Sequence, residues 1–183
     1  MRPFPLLLIR HGETDWNREG RFQGWADPPL NEAGRAQAQA LAQRLRETPF
    51  DAVYASDLRR AHETATIVAA PHGVPVITDP ALREIDVGSW SGLTRPQIDE
   101  RFPGAEDHDG ETREQHLVRV LEAVERIARG HRGGRILVVS HGGSLRALRR
   151  HCVGEPVHPL ENCGVYELRF RDEQLVAADP AAA

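Results

Sequence analysis

The chain has no lysine: all 23 of its basic residues are arginine. A Schiff-base lysine, a pyridoxal phosphate anchor and a Walker-type phosphate loop are therefore excluded. Cysteine is scarce. Cys152 and Cys163, the two present, form no metal-spaced pair and are too few for a disulfide framework. They point to a reducing, cytoplasmic setting. Long apolar runs are missing as well. No stretch approaches the roughly 20 residues of a membrane span, and "MRPFPLLLIR" is too short and lacks the small-residue cleavage site of a signal peptide. There is no excess of positive charge either. A formal net charge of −4 gives no general affinity for nucleic acid or acidic membrane. An anionic ligand would need a local positive site.

What is present is ordinary for a globular protein: 183 residues, 40% hydrophobic and 27% charged. That length supports one domain, residues 1–183, with a core of its own. No internal repeat or linker divides it.

Pro5 to Ile9 reads as a short strand, apolar on both faces. Asn31 caps a helix over "EAGRAQAQALAQRLRE". "DAVYAS" is a second strand. Ser56 or Asp57 caps the following helix, whose apolar stripe is Leu58, Ala61, Ala65, Val68 and Ala69. "GVPVIT" is a weaker strand. Residues 85–110 are irregular and rich in Gly, Pro and Asp. An amphipathic helix then carries Leu117, Val120, Leu121, Val124 and Ile127 on one face. "GGRILVVS" is the strongest strand, and "GGSLRALRRH" returns to helix. "GVYELRF" and "QLVAAD" form a hairpin turning near Arg171 to Glu173. Strands alternating with helices define an α/β fold: a mostly parallel central sheet in a three-layer α/β/α sandwich.

The unusual residues fall at strand ends. The first strand ends at Arg10 and His11. The second runs into a helix whose first turn holds Arg59 and Arg60. The strand Arg135–Val139 ends at Ser140, His141, Gly142 and Gly143. In open α/β sheets, ligands sit beyond the carboxyl ends of parallel strands. If these three strands are parallel neighbours, Arg10, His11, Arg60 and His141 meet at one edge.

Two guanidiniums there match the oxygens of a phosphoryl group. Helix N-termini after Ser56 and Gly143 would add N–H donors. Gly12, Gly142 and Gly143 would let the backbone approach a ligand closely. One neutral imidazole can attack phosphorus while the other donates to the equatorial oxygens. Neither role needs a metal or cofactor. The other histidines show no HExxH or comparable ligand spacing, so no metal site is expected. Phosphoryl transfer also needs an acid for the leaving oxygen. Glu84, Asp86 and Glu13 are equal candidates on physical grounds. Each feature alone has a bland reading: a His-Gly after a strand is usually a turn, and a single arginine is usually a surface charge. The coincidence of all of them carries the functional case.

"LIRHGETDWN" closely resembles the signature of the histidine phosphatase superfamily, whose best-known branch is the cofactor-dependent phosphoglycerate mutases. "FQGWADPPLNEAG", "YASDLRRAHETA", "LREIDVGSWSG", "VVSHGG" and "LENCGVYELRF" resemble its further segments in the same order. The resemblance implies a phosphoglycerate mutase-like fold. It makes His11 the phosphorylated nucleophile, with Arg10, Arg60 and His141 binding the phosphoryl group. It places the acid at Glu84, and Asn17, Gln23, Gly24 and Gly142 around the phosphate or substrate.

One departure bears on the activity. Mutases carry extra basic residues between the acid and the second histidine. Here "GAEDHDGET" is acidic, and Arg95, Arg101 and Arg113 are the only cations before the long helix. The expectation is a metal-independent phosphomonoester hydrolase acting on a small phosphorylated metabolite, or binding inorganic phosphate. The alternatives are a phosphoglycerate mutase and a non-catalytic phospho-ligand module. Specificity is expected in a substrate-covering segment at about 86–116, in the Trp16–Trp25 loop and in residues 152–162. The oligomeric state is left open, a dimer included.

Overall fold

The computed structural model describes residues 4–131, 133–154 and 157–178. The strands are β1 Phe4–Arg10, β2 Ala52–Ala55, β3 Val76–Thr78, β4 Ile136–Ser140, β5 Val165–Arg171 and β6 Gln174–Ala177. The helices are α1 Asp15–Arg18, α2 Glu32–Arg44, α3 Arg59–Ala69, α4 Arg95–Arg101, α5 Arg113–Gly130 and α6 Gly142–Val153. The six strands form one sheet in the order β3-β2-β4-β1-β5-β6. β3, β2, β4 and β1 run parallel, and the β5–β6 hairpin joins antiparallel at β1.

The strands that were readable as continuous apolar runs are the ones buried on both faces. All five residues of β4 are buried. Side chains alternate across a strand, so the sheet separates two cores. Leu6, Leu8, Ile136 and Val138 pack on one side with Val120, Val124 and Ile127 of α5 and Leu145 and Leu148 of α6. Leu7, Ile9, Val53, Leu137 and Val139 pack on the other with Leu41 of α2 and Ala61, Ala65 and Val68 of α3. Each fully buried Leu, Ile or Val stabilises the fold by about 1.5–3 kcal/mol.

The connections position the site. β1 is followed by α2 on one face, whereas β4 is followed by α6 on the opposite face. The chain thus departs in opposite directions from two adjacent parallel strands. In open α/β sheets, such a switch point at the carboxyl ends is where ligands bind.

Two local expectations need correction. α3 is capped by neither Ser56 nor Asp57. Its N-cap is Leu58, with no side-chain cap of its own. The Ser56 hydroxyl accepts from Leu58 N–H, and Asp57 pairs with Arg83. The first-turn N–H of Arg59 donates instead to Asp27 Oδ1 at 2.7 Å, from a distant loop. The segment expected to be irregular contains α4, opened by a capping box between Thr94 and Gln97. It carries a small core of its own, in which Val87, Trp90 and Ile98 are buried.

Candidate active site

In the β1–β4 ladder, Arg10 pairs with Ser140. The next residues, His11 and His141, therefore leave the sheet side by side. His11 N–H donates to Ser140 O at 3.0 Å, and the two imidazole rings lie edge-on with centroids 5.2 Å apart. Arg60 enters from the first turn of α3, on the far side of β4. It is buried at 1% exposure. Its Nη1 donates to Ala26 O at 2.7 Å and its Nη2 to Gly24 O at 2.9 Å. Arg10 is anchored by Nη1 on Leu160 O at 2.7 Å.

Anchoring leaves polar atoms unanswered. Arg10 Nε, Arg60 Nε, Gln23 Oε1 and both ring nitrogens of His141 are buried without a hydrogen-bond partner. Buried polar groups are normally paired. A cluster that is not paired, and that is rich in donors, suits an anion.

Burial, followed by the Arg60 cation, pushes His11 well below the ordinary imidazole range. Burial, Arg60 and His11 push His141 down in the same way. Both rings are neutral at pH 7. His11 Nδ1 lies 2.7 Å from Gly12 O. A carbonyl can only accept, so Nδ1 carries the proton and Nε2 keeps its lone pair. Arg60 is pulled down to about 10 by burial, with Glu84 and Asp27 opposing, and stays cationic.

Glu84 follows the turn Pro80–Leu82 and reaches the first turn of α6. Its Oε2 accepts Gly143 N–H at 2.9 Å, and its Oε1 accepts Ile85 N–H at 3.0 Å. Its main chain is held as well. Trp25 Nε1 and Arg119 Nη2 both donate to Glu84 O, at 2.9 and 3.2 Å. Neither alternative carboxylate takes this position. Glu13 Oε1 accepts from Asn31, and Asp86 Oδ1 accepts from Gly88 N–H.

The structure thus brings Arg10, His11, Arg60, Glu84 and His141 to one edge. Gly24 touches that group through Arg60, and Gln23 is buried beside it. Asn17 is one step removed. It closes a capping box with Thr14, and its Oδ1 lies 3.4 Å from Asn162 Nδ2, which donates to His11 O at 2.9 Å.

The glycines are explained differently from the expectation, because they make room for the protein itself. A Cβ on Gly12 would lie 2.5 Å from Gly34 O, where α2 crosses the loop after β1. A Cβ on Gly142 would come 3.2 Å from Arg10 Nε, and one on Gly143 would strike the Glu84 carboxylate. At the N-terminus of α6, Gly143 N–H is taken by Glu84.

Several participants escaped the sequence reading. Thr64 accepts Gly12 N–H at 3.0 Å and donates to Arg60 O at 2.7 Å, tying the loop after β1 to α3. Arg119 is also bound by Glu111. His116 is buried against Ser144. A signal for it existed, because His116 shares the buried stripe of α5 with Val120, Ala123, Val124, Ile127 and Ala128. That stripe is rotated from the expected one, leaving Leu117 and Leu121 half-buried. Burial pushes both free thiols, Cys152 and Cys163, up to about 11, so neither is a thiolate at neutral pH. Of the 152–162 loop, Glu155 and Pro156 lie outside the described residues.

Fold and edge together define a class: a doubly covered parallel sheet with a histidine pair and an arginine pair at its carboxyl end. The chain belongs to the histidine phosphatase superfamily, branch 1, whose family model matches residues 6–180. It is 43% identical over 187 residues to phosphoglycerate mutase-like protein 4 of Arabidopsis thaliana, covering 91% of this chain and 80% of that one. It is 40% identical to a metal-independent phosphoserine phosphatase of the same plant, covering 93% and 78%. A mycobacterial glucosyl-3-phosphoglycerate phosphatase solved in complex with VO3 superposes with a TM-score of 0.85 at 32% identity, covering 94% of this chain and 95% of that one.

Proposed function

We propose that the chain is a metal-independent phosphomonoesterase that hydrolyses a small phosphorylated metabolite through a phosphohistidine on His11. One observation carries this reading: a buried, neutral imidazole with a free Nε2 stands beside unanswered Arg10, Arg60 and His141 nitrogens. The phosphatases among its relatives support hydrolysis.

In the first half-reaction, His11 Nε2 attacks phosphorus in line. The N–P bond forms as the P–O bond to the alcohol breaks, and Glu84 gives the departing oxygen its proton. Arg10, Arg60 and His141 bind the equatorial oxygens, so the charge developing there meets fixed donors in a dry site. Gly12 O, on the Nδ1–H, stabilises the positive ring that phosphorylation creates. In the second half-reaction, water attacks the same phosphorus as Glu84 takes its proton, the bond from phosphorus to His11 Nε2 breaks, and phosphate leaves with the ring neutral again. Asn17, Gln23, Gly24 and Gly142 surround the group, and the 86–116 segment covers the substrate. Positioning and charge supply most of the rate.

A second reading, phosphotransfer between positions of a phosphoglycerate, has the names of several relatives in its favour. The few cations it would use are exposed and held by surface contacts with near neighbours in sequence. Arg95 pairs with Asp99 at 2.9 Å, Arg113 with Asp107 at 3.5 Å, and Arg101 lies over Phe102. Hydrolysis is therefore preferred.

The test is a phosphoester panel run with and without a chelator, with rapid quenching to trap acid-labile phosphate on the protein. Chelator-resistant turnover with label on His11 is expected. Chelator-abolished turnover without labelled protein would overturn the proposal.

A further inference from the structure

Glu84 has two opposite tasks. It must hold a proton until the alcohol leaves, then hold none when water attacks. The donors on its carboxylate, Gly143 N–H and Ile85 N–H, favour the ionised form. The neutral form needs an acceptor for its O–H.

The hydroxyl within reach of it is that of Ser144, which is fully buried. Its Oγ lies 3.4 Å from Glu84 Oε1, 3.1 Å from Arg83 O and 2.9 Å from His116 Nε2. His116 is 3% exposed, and its Nε2 is 3.8 Å from Glu84 Oε1. Burial lowers His116, with Glu84 opposing and Arg119 reinforcing; Glu111 raises it and His108 lowers it further. The ring is thus neutral at pH 7 and carries one N–H.

A hydroxyl has one hydrogen and two lone pairs. With His116 Nε2–H donating to Ser144 Oγ, one lone pair is taken and two arrangements remain. With Glu84 protonated and no alcohol oxygen bound, its O–H donates to the second lone pair and Ser144 sends its own hydrogen to Arg83 O; once the ester is bound, that O–H turns to the departing oxygen. With Glu84 ionised, Ser144 turns that hydrogen to Glu84 Oε1. Only the hydroxyl rotates; the histidine does not change charge.

We propose that His116 and Ser144 form a relay that positions the Glu84 carboxyl in both of its proton states. Both are positioning residues that act through Glu84, and the proposal rests on the reading of Glu84 as the acid.

The test compares His116→Phe, His116→Gln and Ser144→Ala on glycerol phosphate, a poor leaving group, and on para-nitrophenyl phosphate, which needs little protonation. His116→Phe fills the space without an N–H, whereas Gln restores an N–H close to the Nε2 position. We expect His116→Phe and Ser144→Ala to lose about tenfold or more in the single-turnover rate of the first step on glycerol phosphate, and less than about threefold in that step on the aryl ester. KM should hold within about twofold. Gln should recover most of the loss, and the Phe/Ala double variant should be no worse than either single one. Thermal unfolding of each variant reports whether it folds, and Ser144→Ala, the smallest change, decides the case if His116→Phe does not.

Equal losses on both esters, or Gln as poor as Phe, would overturn the relay. Glu84→Gln separates the two failures. If it discriminates between the esters and the relay variants do not, only the relay falls. If it fails to discriminate, the acid reading falls first.

Discussion

The Nδ1 of His11 sits 2.7 Å from the carbonyl oxygen of Gly12, and this contact decides which ring nitrogen is free to react. Replacing His11 with Ala removes the proposed nucleophile but leaves Arg10, Arg60 and His141 in place. Turnover should fall by about 10⁴-fold or more, with no acid-labile phosphate on the protein. Phosphate or vanadate should still bind, more weakly, by calorimetry. Full activity in this variant would refute the assignment of His11.

Glu84→Gln keeps the shape and removes the transferable proton. Esters of poor leaving groups should lose about 10²-fold or more, the range in which positioned acids contribute. An activated aryl ester should lose far less in its first step. Plotting the rate against leaving-group basicity measures this, and the variant's slope should be steeper. Parallel plots for the two proteins would contradict the acid role.

Two glycines should fail in different ways. An alanine at Gly12 would place its Cβ 2.5 Å from Gly34 O. Both partners are backbone, so the fold must yield, at a cost of about 1–3 kcal/mol. An alanine at Gly143 would strike only the Glu84 carboxylate, the mobile end of a side chain. That variant should unfold near the original temperature yet lose about tenfold or more in kcat on alkyl esters. Thermal unfolding and kinetics on the same two preparations would separate these outcomes, and the reverse pattern would sink the argument.

The edge was legible because strong local signals coincided at strand ends. β1 and β4 are largely apolar runs, and each is followed directly by histidine and glycine. Their adjacency, which the reading assumed, follows from the β2-β4-β1 order. What could not be read was supplied from far away. No local pattern reveals that Asp27 caps α3 or that Arg119 holds the main chain of Glu84. α4 is different: Thr94, Pro96 and Gln97 spell a helix start, masked by the Gly- and Asp-rich sequence around it. His116 was missed for a simpler reason. It was read as a histidine without a metal partner rather than as a polar residue on an apolar stripe.

The neutral state of the two site histidines also predicts how stability depends on pH. Burial, then Arg60, keeps His11 and His141 well below the ordinary value of 6.5 in the folded chain. The unfolded chain releases both to that ordinary value. Above 6.5 neither state takes up these protons, and their contribution to stability is fully present. As pH falls below 6.5, only the unfolded state binds them, and stability declines by up to about 1.4 kcal/mol per pH unit for each ring. His116, also lowered by burial, adds in the same direction. Asp57 is held below the usual carboxylate range by its hydrogen bond to Arg83. Glu111 is too, since Arg119 outweighs the burial that would raise it. Stability tied to these two acids is lost only below about pH 4, so the window above it belongs to the histidines. Urea unfolding without phosphate, measured across that window, should show His141→Gln with a slope shallower by about one proton. Identical slopes would mean that His141 is not held neutral in the fold.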